Sequence, residues 1–185
     1  MGSKVPWGFS SHSWIGADMR IYSQTPRMTL EQKKDLIAKI AAELEQELDL
    51  LRKAANASKE ASIHEESRAE DSHDTRSTEA GYLAAGQAQR TADVEGQVKY
   101  FRTLEPIDFS RGKRIAAGAW VQLRQGTAQP RYFLAVTGGG RRVDGVQVLS
   151  TVSPLGEALL GAQEGESLEW EMGGRALSAE ILKVV

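Results

Sequence analysis

Between Thr29 and Lys59, apolar or small residues recur at 30, 37, 44, 51 and 58, and again at 41, 48 and 55. Steps of four and three mark a coiled-coil seam, narrower than the broad apolar face of a globular helix. Thr29-Leu30-Glu31-Gln32 has the form of a capping box, with Thr29 at the N-cap and Gln32 reaching back. The seam thins from Ile37, Leu44, Leu48 and Leu51 to Ala54, Ala55 and Ser58, which lets a partner helix come close. A second helix is expected from about Ser77 to Leu104. Its seam is Ala80, Ala84, Thr91, Val94, Val98 and Phe101, interrupted by Gln87. Two matched seams with a short connection predict an antiparallel coiled-coil hairpin over residues 29–104. A first helix of roughly 40 residues would reach about 60 Å at 1.5 Å per residue. A compact small domain does not need that length.

The pattern changes after Leu104, where Pro106 stops the helix. Residues 105–185 alternate short β-like runs with Gly-rich turns. Strands are expected at Ile115 to Leu123, Arg131 to Val136, Gly145 to Thr151, Ser167 to Met172 and Ala176 to Val184. Ser153 to Gly161 reads as one short helix, capped by Ser153, with Pro154 first and Gly161 at its end. The fold class is therefore a helical hairpin followed by a small antiparallel β domain with one helix, an α+β unit. Tyr132, Phe133 and Trp170 fall inside strands and are assigned to the core. Gly138-Gly139-Gly140-Arg141-Arg142 lacks the strand-to-helix setting of a phosphate cradle and reads as a turn. Residues 1–28 show neither period. They are expected to be a disordered or partly vector-derived tail without a secretory signal.

Charge singles out one segment. From Glu60 to Glu79 there are seven Asp/Glu against two Arg, a local balance of −5 in a chain whose total is −2. Residues 29–59 balance at six against six, and those from Glu105 onward at nine against nine. Nearly all the asymmetry thus lies where the two helices would turn back, as an acidic tip on a stalk. The mildly acidic total argues against coating nucleic acid by charge alone. No apolar run is long enough to span a membrane. Zero cysteines exclude thiolate metal sites and fit a reducing, cytoplasmic setting. His64 and His73 beside Glu65 and Asp74 are read as surface residues rather than a zinc site. Folding back within one chain is the simplest use of the seam, so a monomer is expected.

The order of parts, with Ser153-Pro154-Leu155-Gly156-Glu157-Ala158-Leu159-Leu160-Gly161 and Glu79-Ala80-Gly81-Tyr82-Leu83-Ala84-Ala85, resembles the bacterial GreA/GreB transcription elongation factors. The resemblance implies an FKBP-like C-terminal domain and binding to RNA polymerase at its secondary channel. It also brings the family's labels of transcription regulation and DNA-binding. The hairpin would pass down the channel, and tip carboxylates would help hold a Mg²⁺ at the polymerase active site. Cleavage of the 3′ end of backtracked RNA would follow, with nascent RNA met only indirectly and no enzymatic activity in the factor alone. Two-metal phosphodiester hydrolysis suits such a donated acid pair.

In the family the two acids lie three apart in a Gly-Asp-x-x-Glu-Asn-Ala-Glu-Tyr setting. Anchoring on Tyr82 puts Thr75 and Thr78 at those places. The acids ranked for the role are Asp74, Glu79 and Asp71, with Glu70 in support. Ser153, Pro154, Leu155, Gly156 and Leu159 are the expected polymerase-binding surface. The alternative is a secondary-channel regulator that occludes the channel without promoting cleavage. Prolyl isomerase chemistry would follow only from fold analogy, which does not carry function.

Overall fold

The computed structural model describes residues 27–66, 74–110 and 112–185; at 61–66, 74–78 and 80 it describes the backbone only. Most of the expected N-terminal tail and the acids Glu70 and Asp71 lie outside the described residues. Helix α1 spans Leu30–Glu66 and α2 spans Asp74–Thr103. The capping box forms as read: Thr29 N–H donates to Gln32 Oε1 at 2.8 Å, and Gln32 N–H donates to Thr29 Oγ1 at 3.1 Å. Two donors that the helix cannot satisfy internally are thereby paired. Helix α2 begins about three residues before the expected start at Ser77. An acid at its first position suits the positive end of the helix dipole.

The C-terminal region holds β1 (Trp120–Arg124), β2 (Arg131–Ala135), β3 (Arg142–Val143), β4 (Val146–Ser150), α3 (Pro154–Leu159), β5 (Ser167–Met172) and β6 (Arg175–Val184). They form one six-stranded sheet in the order β3-β4-β2-β1-β6-β5. The expectation of an antiparallel sheet is corrected at one place: β2 and β4 pair in parallel, with Phe133 opposite Val148. The sheet is mixed because β3 reverses the chain between them, so β4 runs the same way as β2. The first strand starts at Trp120 rather than Ile115, after Gly118 takes a left-handed φ of 92°.

Alternation along the strands divides two cores. Trp120, Phe133, Val146 and Val148 face a core shared with the hairpin residues Leu36, Ile37, Ile40, Leu44, Val98 and Phe101. Val121, Leu123, Leu134 and Leu149 face the opposite core, closed by Phe109, Ile115, Leu155 and Leu159. The sheet is thus a middle layer. Burial on both sides explains why its strands read as continuous apolar runs rather than strict alternation.

Candidate functional site

Two faces meet at the hairpin's base, so α1 is broader there than a coiled-coil seam. Leu36, Ile37, Ile40, Ala41, Leu44 and Leu48 are all buried. On α2 the buried residues are Val94, Val98 and Phe101, with Thr91 half-buried. Farther out the pattern changes completely. Residues 52–60 of α1 and 81–90 of α2 are exposed throughout, including the seam positions Ala55, Ser58 and Ala84. Beyond the base the hairpin is a bare arm of two helices. Tyr82 and Leu83 stand 77% and 67% exposed on it.

Ion pairs gather around the base. Across the hairpin run Arg102–Glu45 at 2.5 Å, Arg90–Glu47 at 2.6 Å and Arg52–Glu95 at 2.5 Å. The Arg102 guanidinium holds the Glu45 carboxyl below its ordinary range. Arg141, with Arg90 behind it, does the same to Glu47. Nearer the start of α1, Lys33 is wholly buried, its ammonium donating to the carbonyl oxygens of Ile107 at 2.5 Å and Val185 at 2.8 Å. The ammonium also lies 4.8 Å from the Phe109 ring centroid. Burial lowers its pKa to about 8, against the attraction of Asp108. Its spacing is the signal for this: Lys33 lies three, four and seven residues before Leu36, Ile37 and Ile40, whereas its neighbour Lys34 faces solvent.

At the acid-rich end, Glu79 is exposed on α2. Asp74 is the first residue of α2, and its side chain lies outside the described residues, as do Asp71 and Glu70 entirely. At about 100° per residue, positions 74 and 79 fall on faces of α2 roughly 140° apart, so the helix does not set them side by side.

The short helix α3 was expected from Ser153 to Gly161 and forms with that cap. The Ser153 hydroxyl accepts from Gly156 N–H at 3.1 Å, and Pro154 opens the first turn. Leu155, Gly156 and Leu159 are buried, so among the five expected contact residues these three pack the domain. An added Cβ at Gly156 would lie 2.0 Å from the Ser150 carbonyl oxygen, which makes this glycine a packing requirement. Pro154 is exposed and Ser153 half-buried, beside Val152 at 77% exposure.

The chain thus joins a hairpin arm to a sheet domain that carries a Ser-Pro-Leu-Gly helix. Residues 110–185 match the family described as "Transcription elongation factor, GreA/GreB, C-term". The chain is 33% identical over 118 residues to transcription elongation factor GreA of Bartonella tribocorum, covering 60% of this chain and 74% of that protein. It is 25% identical over 96 residues to GreA of Polaromonas naphthalenivorans, covering 52% and 61%. The protein belongs to the GreA/GreB family. Among solved structures, Thermus aquaticus Gfh1 matches at 18% identity and a TM-score of 0.36, over 79% of this chain and 94% of that one. GreA/GreB from Nitrosomonas europaea matches at 20% and 0.32, over 58% and 91%. Among the described residues, no helix is long and apolar enough to cross a membrane.

Proposed function

We propose that this chain is an accessory factor of RNA polymerase that enters the secondary channel hairpin first and stimulates the polymerase's own cleavage of backtracked RNA. The observation that carries this reading is the bare arm. Residues 52–60 and 81–90 are exposed throughout, and Glu79 lies just before the second of these stretches on α2. Glu79 offers hard carboxylate oxygens, the donor type Mg²⁺ prefers, and its exposure leaves it open to an ion held by a second protein. Asp74, Glu79 and Asp71, supported by Glu70, would contribute to a Mg²⁺ shared with the polymerase. Such an ion would be one of a pair, of which one activates the attacking water and the other stabilises the leaving oxygen. The chain's own part is delivery: α2 carries Asp74 and Glu79, and the β domain supplies the docking surface, with Pro154 exposed and Ser153 half-buried at its rim.

One observation favours a second reading, an occluding regulator of the same channel. Positions 74 and 79 lie on different faces of α2, and the family's acid places hold Thr75 and Thr78. Transcript cleavage in backtracked bacterial elongation complexes separates the two. Faster release of short 3′ RNA fragments, lost on Asp74→Ala/Glu79→Ala, supports the cleavage factor. Binding that blocks a known Gre factor without faster cleavage supports the occluding regulator and overturns the first reading.

A further inference from the structure

Lys39, Glu43 and Glu47 follow one another at four-residue steps along α1, so they form a single stripe. Facing that stripe is the β domain's shortest strand, β3, with its flanking turns over residues 140–145. Asp144 accepts from Lys39 at 2.8 Å. Arg141 donates to Glu47 at 2.5 Å and sits 3.8 Å from Glu43. Glu47 also holds Arg90, so one carboxylate joins α1, α2 and the β domain. The charge order is specific. A positive group on α1 meets a negative one on the turn, and two negative groups meet a positive one. Sliding α1 by one turn, about 5.4 Å, would bring Glu43 against Asp144 instead.

Shape reinforces the charge order. A Cβ on Gly138 would lie 3.0 Å from the Phe101 ring of α2, and one on Gly139 would lie 3.1 Å from Ser150 Cβ. The turn therefore seats closely on α2 and on β4 while its charged residues reach α1. Asp144 adopts a φ of 49° followed by Gly145 at 72°, the left-handed pair of a tight hairpin turn. That turn fixes where the carboxylate stands relative to Lys39.

We propose that Arg141 and Asp144 are positioning residues: they set the axial register and rotation of the hairpin on the β domain, and through it the place the arm's far end reaches. The inference rests on the functional reading above, in which reach matters. From Glu47 to the end of α1 the helix runs a further ~28 Å, so a tilt of about 10° at the clamp moves the far end by about 5 Å. A displacement of about 1 Å can already cost two orders of magnitude in a positioned reaction.

The chain has no cysteine, so spin labels can be placed freely, at Ala57→Cys on the arm and Ser178→Cys on the sheet. Both sites are exposed. Pulsed dipolar spectroscopy on the free protein should give one narrow distance distribution for the parent. Arg141→Glu/Asp144→Asn should broaden it or move its centre by about 3 Å or more, while Arg141→Lys, which keeps the charge, should retain the parent distribution. Circular dichroism melting of each variant checks that it is folded, and Asp144→Asn alone gives a milder variant for the same measurement. In the cleavage assay, Arg141→Glu/Asp144→Asn should lose roughly tenfold in maximal stimulation with its half-saturating concentration within about twofold of the parent. Distributions for the folded double variant that superimpose on the parent's would overturn the inference. Because the distances are read without polymerase, a parent protein that fails to stimulate cleavage sinks the functional reading and leaves the distance result standing.

Discussion

The two ends of the same hairpin are built on opposite principles. At the base, α1 buries six apolar residues on a face broad enough for both α2 and the sheet, and Phe101 of α2 is 1% exposed. In the arm, residues 52–60 and 81–90 are all exposed and the seam is reduced to Ala, Ser and Gln87. Helical stability in proteins comes mostly from packing of an apolar face. The arm is therefore helical largely because the base nucleates it and its residues favour helix. Stability is concentrated where the domains join. The arm's sequence is left free for whatever its exposed surface must do.

One truncation at each end of the hairpin should have very different costs. Phe101 lies against Phe133, with ring centroids 6.3 Å apart, and against Gly138. Phe101→Ala should destabilise the protein by about 3–5 kcal/mol, the usual cost of opening a cavity at a fully buried aromatic. Leu83 is 67% exposed on the arm. Leu83→Ala should change global stability by less than about 0.5 kcal/mol. Urea unfolding followed by far-UV circular dichroism measures both. Comparable losses would mean that the arm is packed in solution and that the division drawn here is wrong.

A smaller effect comes from pH at the base. Burial lowers the pKa of Lys33 to about 8 in the folded chain, while the unfolded side chain keeps its proton up to the ordinary value of 10.5. Between those values the unfolded state binds more protons, so stability rises with pH across that window. The rise from this group should be about 1–3 kcal/mol, and Lys33→Met should remove it while lowering stability through the two carbonyls it leaves unpaired. Unfolding free energies at pH 7.5 and pH 10 test the sign. A parent whose stability falls over that interval, in parallel with Lys33→Met, would show that Lys33 stays charged when buried. Lys39 shifts the other way, because its hydrogen bond to Asp144, then that to Asp35, raises its pKa. Any loss from that pair therefore begins above the window.

What was legible in the sequence follows the same division. The capping box, the seam at Ile37, Leu44 and Leu48, and the Ser153-capped helix are local patterns, and each formed as read. Interactions between segments were not legible. Strand β3 has only two residues, too short for any alternation, yet it turns the sheet from antiparallel to mixed. Lys33 is a charged residue in a run of charges, a type almost never fully buried, and only the carbonyls of Ile107 and Val185 make its burial tolerable. Gly138-Gly139-Gly140-Arg141 read correctly as a turn, but nothing local said that Arg141 would meet Glu47 across 94 positions. At the candidate site, the acidic segment stood out by charge, whereas the early start of α2 at Asp74 did not.

The smallest effect refines the account of the arm. Gly81 and Gly86 lie within α2, where glycine costs helix about 1 kcal/mol relative to alanine, and an added Cβ at either would meet nothing within 4 Å. Gly86→Ala should therefore favour the helix locally by about 0.5–1 kcal/mol. If the arm frays independently of the base, that gain appears as slower amide exchange around residues 81–90, with urea unfolding of the base nearly unchanged. If arm and base unfold as one unit, the same gain appears in full in the global transition. Hydrogen exchange and urea unfolding on one pair of proteins thus decide whether the two ends of the hairpin differ in cooperativity as they do in packing. A variant that moves neither measurement would mean that the arm's helix already forms without fraying, and that its exposed seam is held by more than helix propensity.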